Sequence, residues 1–434
     1  MEKRLFSSTD NSPLIIFRII FGLLVTLECW GAIATGWVHR ALIEPKFTFH
    51  FIGLDFLQPL PNKGMYAYFA LMGFLGIFIM LGYRYKASIL GFTILWAGAY
   101  LMQKSSYNNH YYLLLLINIL MCVLPANKNL SLDVHYKHTE QKQTMPNWCR
   151  LLIISQLFIV YTFASIAKFY PDWLNTTVAA NLMAGRKSFF LVGEVLQQKW
   201  THYIITYTGI LFDLLIIPAL LYKPTRKWSF IISIFFHLYN SFILHIGIFP
   251  YLALGFSVFF FEGAQIRKWF YPKAQKSISV NKESYQNSTL TVAFLSIWLL
   301  IQVALPIRHH FIEGNVLWTE EGHRLSWRMM LRSKSGSNTF FVVNKSTQKR
   351  TRIKLKDYLT RKQIRSMGGK PDMIWQFAQH LKREHKKLGE DIEVYVSNWT
   401  RVNKSKKKRL IDPKTDLAAV EWNYWGHNNW IIAE

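Results

Sequence analysis

The stretch LLIISQLFIVYTFASIAKFYPDW, residues 151–173, is apolar for most of its length, meets a lysine at position 168 and breaks at Pro171. A bilayer core about 30 Å thick is crossed by roughly 20 apolar residues in a helix, and the segment from 150 to 168 has that length and composition. Comparable runs are read at 14–37, 64–83, 87–103, 108–125, 201–222, 229–247, 250–262 and 290–306, which makes nine. The run at 250–262 is short and its neighbour ends at Phe249-Pro250. Those two read as a tight helical pair, or as a re-entrant element whose backbone is shielded by protein. The fold expected is an α-helical integral membrane bundle of about nine spans over residues 1–306, followed by a small α+β extracytoplasmic domain over residues 307–434.

Composition agrees. Of 434 residues, 51% are hydrophobic and 16% aromatic, more than a soluble globular chain needs. Lysine and arginine gather in alternate loops, among them Lys3, Arg4, Arg84, Lys86, Lys128, Arg226, Lys227, Lys273, Lys276 and Lys282. Such loops face the cytoplasm, so the N-terminus is expected inside and the C-terminal domain outside, in a periplasm or a lumen. GAIATG at 31–36 has the small-residue spacing of a cleavage site. The apolar run from Pro13 is longer than a signal-peptide core and is interrupted by Arg18, so an uncleaved anchor is expected. Cys29, Cys122 and Cys149 fall in spans or an inner loop, and neither a structural disulfide nor a cysteine metal site is expected.

Much of the formal charge of +26 lies in the tail, in KRTRIKLK (349–356) and NKSKKKRL (403–410). On the outer face of a membrane such runs suit anionic lipid headgroups or an acidic peptide, and nucleic acid is not an expected partner. The tail alternates as a hairpin, TFFVV and TRIKL around NKSTQK, then reads as an amphipathic helix over 371–388 and a further strand over 393–402.

Polar groups inside an apolar bundle are costly and mark function. QKSSYNNHYYLLLL (103–116) places Tyr107, Asn109 and His110 at the mouth of a span, where an interfacial aromatic belt is the bland alternative. In FFHLYNSFILHIGIFP (235–250), His237, Asn240, Ser241, Leu244 and His245 recur at helical spacing, a face suited either to interhelical hydrogen bonds or to a wet cavity. Lys168 has its own bland alternative, an anchor snorkelling to the headgroups. With nine spans, all three meet at the outer leaflet, which points to one site.

These segments resemble those of the vitamin K-dependent gamma-glutamyl carboxylases and their bacterial relatives, the group named for a horizontally transferred transmembrane domain. The resemblance is carried by KSSYNNHYY, FIVYTFASIAKFYPDW, FHLYNSFILHIGIFPY, SWRMM (326–330) and RLIDPKTDL (409–417), in family order. Taken residue by residue it implies Lys168 as the base, with His110 as a second catalytic residue. It places Asn109 and Phe249 against the quinone cofactor, and His237, Asn240 and Trp327 on motif positions grouped with Tyr107 on the cofactor side. The implied reaction adds CO2 to the γ-carbon of glutamate in a peptide or protein, driven by oxygenation of vitamin K hydroquinone, phylloquinol or menaquinol, with O2 as co-substrate and no metal. A lysine serves as a base only as the free amine, and burial disfavours an ammonium ion.

Departures from the family pattern bear on the substrate. Position 167, a lysine in the animal enzymes, is Ala167, and the loop 174–200 keeps Arg186 and Lys187 but matches poorly. Two alternatives follow: an enzyme that oxygenates quinol without carboxylating a peptide, and a transporter or lipid-handling protein using the same polar cavity.

Overall fold

The computed structural model describes residues 2–272 and 285–433. Of the inner-loop cations named above, Lys273, Lys276 and Lys282 lie outside the described residues. A helix forms at each of the nine apolar runs: α1 (Ser12–Ala34), α2 (Gly64–Leu81), α3 (Tyr85–Leu101), α4 (Asn109–Val123), α5 (Asn147–Ile166), α6 (Lys199–Leu221), α7 (Lys223–Phe242), α8 (Phe249–Phe256) and α9 (Thr289–Ile307). Five of these, α1, α2, α5, α6 and α9, are long and apolar enough to cross a membrane. The count of nine spans is more than length and composition support. Helices α3, α4 and α8 are shorter, and α7 opens on Lys223, Arg226 and Lys227.

Local chemistry sets the breaks that matter. Helix α5 stops at Ile166, and Tyr170 is extended (φ −146°, ψ 159°), as the residue before a proline prefers. Lys168 is thereby left in the turn between α5 and a short helix, Pro171–Leu174. Helix α4 starts at a side-chain cap, where the Asn108 amide oxygen accepts from the Tyr111 N–H at 2.8 Å. Helix α7 ends at Phe242, five residues short of the run read at 229–247. His245 and Gly247 then take left-handed φ values of 55° and 46° to turn the chain into α8. That turn removes His245 from the polar stripe and leaves it exposed, whereas His237 and Asn240 stay buried on α7.

Arg18, the cation inside α1, is fully buried. It donates to the carbonyls of Ala126 (2.9 Å), Asn129 (3.3 Å) and Leu130 (2.6 Å), so it caps the chain beyond α4. Helices α1 and α2 approach through small residues: a Cβ at Gly22 would fall on the Met80 backbone, and one at Gly76 on the Thr26 hydroxyl.

The tail is a three-stranded antiparallel sheet, Arg350–Arg352 beside Lys334–Asn344 beside Ile392–Val402, with the helix Pro371–Lys387 laid across it. Phe340, Val342, Val394 and Val396 face Met373, Ile374, Phe377 and Leu381 in one apolar core. Phe47 and Phe49, from the connection between α1 and α2, complete that core. The Gln363 amide donates to the Phe47 carbonyl at 2.6 Å and locks the connection in place.

Charge ties the tail to the bundle. Lys104, on the connection between α3 and α4, is 2% exposed and donates to the Asp372 carboxylate at 2.7 Å. Arg324 meets the same carboxylate oxygen at 2.5 Å. Burial alone would raise the Asp372 pKa, but Arg324 and Lys104 outweigh it and hold this carboxyl well below its usual range. Burial likewise pushes Lys104 down to about 8, with Asp372 opposing.

Candidate functional site

A chamber of about 410 Å³ opens between α4, α5, α6, α7 and α8. Its walls are largely apolar, with Ile204, Ile232, Phe235, Phe236 and Leu244 among them. Among the few polar groups lining it are His110, Tyr161, Lys168, Asp213, His237 and Asn240. Lys168 is 7% exposed. Its Nζ donates to the Gly209 carbonyl at 2.9 Å and pairs with the Asp213 carboxylate, and it lies 5.4 Å from the Trp173 ring centre. Gly209 and Asp213 stand four residues apart on α6, one above the other on the face turned to α5.

The other residues named from the sequence sort into two groups. His110 stacks on Phe249 with ring centres 4.4 Å apart, and Phe249 meets His237 edge-on at 5.9 Å. His237 Nε2 and the Tyr161 hydroxyl are 3.2 Å apart, while the buried His237 Nδ1 has no hydrogen-bond partner among the described residues. Lys168, His110, Phe249, His237 and Asn240 therefore share one cavity. Tyr107, Asn109 and Trp327 are not on its wall. The Tyr107 hydroxyl donates to Asn109 Oδ1 at 3.0 Å and accepts from the Leu325 N–H at 2.8 Å, and the Asn109 amide donates to the Arg328 carbonyl at 3.3 Å. Trp327 is 1% exposed and stacks on Tyr112 at 4.9 Å, in the core behind the site.

The HTTM domain family model matches residues 6–264, and the model described as vitamin K-dependent gamma-carboxylase, lumenal domain, matches residues 287–434. The chain belongs to the vitamin K-dependent gamma-carboxylase family. No solved structure matches it.

In this carboxylase-family chain a second chamber, of about 230 Å³, adjoins the first and shares His110, Met329 and Met330 with it. Its character is opposite. Glu320, His323, Arg324 and Lys370 line it together with Tyr107, Asn108 and Asn109. Glu320 pairs with Arg332 and, at 3.4 Å, with Lys334; these cations outweigh burial and keep its carboxyl well below the usual range. Burial, then Arg332, pushes His323 well below its ordinary value, so it is neutral at pH 7. Lys370 donates to the Ser366 hydroxyl at 3.0 Å and has no carboxylate within ion-pair distance among the described residues. Burial, then Arg324, brings it down to about 8.

The partition between the chambers comes from residues 320–330, where Glu320, Leu325, Trp327 and Met330 all adopt left-handed φ, between 49° and 67°. Each such non-glycine residue costs on the order of 1–3 kcal/mol and persists only where its surroundings over-determine it, a condition typical of functional sites. Sequence reasoning singled out neither Asp213 nor Lys370 and Glu320. Asp213 did carry a signal, an acid inside the apolar run GILFDLLII. The other two are ordinary charges in a basic tail.

Proposed function

We propose that this chain is an integral membrane, quinol-dependent gamma-glutamyl carboxylase, coupling oxygenation of vitamin K hydroquinone, phylloquinol or menaquinol, to addition of CO2 at the γ-carbon of glutamate in a peptide or protein. The observation that carries the reading is the shared wall. An apolar chamber holding an amine and a cationic chamber meet at His110, Met329 and Met330. The first suits a lipid-soluble ring and the second a peptide carboxylate. Fit to the quinol is supported by a volume of about 410 Å³, within the range of small-molecule sites, and by the unpartnered Nδ1 of His237 in a buried setting.

When bound, the hydroquinone supplies through its oxygenation to the epoxide a base strong enough to take the γ-proton of glutamate, which no amine could do. The chain's own residues do the rest. Lys168 Nζ takes a hydroxyl proton, His237 and Asn240 offer hydrogen bonds that orient the ring, and Phe249 gives it an aromatic face. His110, on the wall of both chambers, stands where a proton can pass between them. Apolar walls exclude water and protect a glutamyl carbanion until CO2 arrives. On the other side, Lys370 and Arg324 hold the substrate's negative charge.

The same reading sets nine helices across the bilayer, with the N-terminus cytoplasmic and residues 307–434 in a periplasm or lumen, as the basic inner loops favour. A reporter fused after residue 306 should register outside and one after residue 226 inside; an inside signal from the first overturns that topology.

A second reading, quinol oxygenation without carboxylation, draws on Glu320 and Asp372, which already neutralise much of the cationic chamber. One assay separates the two. Purified protein is given reduced vitamin K, a Glu-containing peptide and labelled bicarbonate, and both epoxide and fixed label are measured. Epoxide without label selects the second reading, and neither product removes both. If label is fixed, Lys370→Met should raise the peptide KM by about tenfold, the loss of one charge-assisted hydrogen bond. An unchanged KM would take the carboxylate out of this chamber.

A further inference from the structure

Lys168 is not an isolated amine. Its nitrogen lies against the Asp213 carboxylate, and both side chains are 9% exposed in an apolar wall. A buried pair of this kind carries no net charge, which is why the bundle tolerates it, whereas either member alone would be an uncompensated ion. The pairing also poses a problem for the base. An ammonium group already holding its proton accepts no other.

We propose that Asp213 is the proton sink of the site, acting through Lys168. The proton on Lys168 Nζ passes to the Asp213 carboxylate oxygen, and the freed lone pair on nitrogen takes the hydroxyl proton of the bound quinol. Before the step the groups are ammonium, carboxylate and neutral quinol; afterwards they are ammonium, carboxylic acid and quinol anion. One proton has moved from the quinol oxygen to Asp213, and the total charge is unchanged. Lys168 ends the step as a cation beside the new anion, and the Gly209 carbonyl, 2.9 Å from Nζ, keeps the nitrogen in place throughout. Asp213 is thus a positioning and proton-storing residue rather than one that touches the substrate. The inference rests on the quinol reading of the chamber.

The test reads the proton directly, without oxygen or turnover. 1-Naphthol, which offers one weakly acidic hydroxyl, is added to the purified protein, and the infrared difference spectrum is recorded. The expected result is the carbonyl band of a newly protonated carboxylic acid, together with the absorbance of the naphtholate ion. The band should disappear in Asp213→Asn and shift in Asp213→Glu. In turnover, Asp213→Asn should lower kcat for epoxidation by about a hundredfold with little change in quinol KM. Asp213→Glu should recover much of the rate, and a structural ion pair alone would give no such band. Wild-type protein giving no carboxylic acid band with naphthol overturns the relay, as does a band that survives in Asp213→Asn. A wild-type protein that shows the band but forms no epoxide leaves the relay standing and removes the carboxylase reading.

Discussion

Lys168→Ala should lose epoxide formation and carboxylation together, by about 10²–10⁴-fold, the range of a general base. The side chain stands in the turn beyond α5, so the helix itself loses no packing residue and membrane insertion should be unaffected. What remains is a buried Asp213 carboxylate facing a space the size of a small amine. Added methylamine should therefore restore part of the rate. Lys168→Arg should fail, because a guanidinium stays protonated and cannot take a hydroxyl proton. A lysine that only anchored the chain to headgroups would give the reverse pattern, with arginine substituting well and added amine doing nothing. Near-normal epoxidation by the arginine variant would remove the base assignment.

Asp372→Asn should destabilise the junction between bundle and tail by about 3–5 kcal/mol, the cost of breaking a buried ion pair from one side. Two cations, Lys104 and Arg324, lose their common carboxylate at once. The pH dependence follows from the directions of the shifts. Asp372 is depressed in the folded protein, so its stabilisation is complete above the unfolded carboxylate value of about 3.9 and is lost as pH falls through the lower folded value. Lys104 is depressed to about 8 from 10.5, so within that window the unfolded chain holds the proton more tightly and stability rises with pH. Removing Asp372 deletes the group that opposed the depression, and the window extends downward. The defect of Asp372→Asn should be largest near about pH 6 and smaller near about pH 9, where Lys104 sheds its proton. Thermal melting of the two proteins across that range measures it, and a pH-independent difference would show that Lys104 is not the group exposed by the substitution.

Much of this molecule is legible along the chain, and what is missing has a common cause. Apolar runs are local, so all nine appear as helices, and the strands and the helix of the tail lie within a few residues of where alternation and periodicity set them. The end of α7 is an exception. A run of Phe, Ile and Leu reads as helix through His245, but the chain has to turn there to bring Phe249 back onto His110. Pairings across distance are invisible to periodicity. Lys168 and Asp213 are 45 residues apart, and Lys104 and Asp372 are 268 apart. Nor does a motif say which wall its residues line. KSSYNNHYY contributes to both chambers, Tyr107 and Asn109 to the charged one and His110 to each.

The two phenylalanines lent to the tail core by the connection between α1 and α2 have a consequence for biogenesis. Phe47 and Phe49 emerge early in synthesis, and Gln363, Phe377 and Leu381, which enclose them, emerge about three hundred residues later. Until then the connection between α1 and α2 carries apolar side chains with nowhere to go, and the sheet and helix of the tail, once made, still lack part of their interior. Closing so wide a loop is entropically costly and comes late. The tail therefore acts as a clasp on the first hairpin of the bundle, and a ribosome that stops before it leaves a membrane protein unfinished, with an adhesive patch for a chaperone or a protease to find.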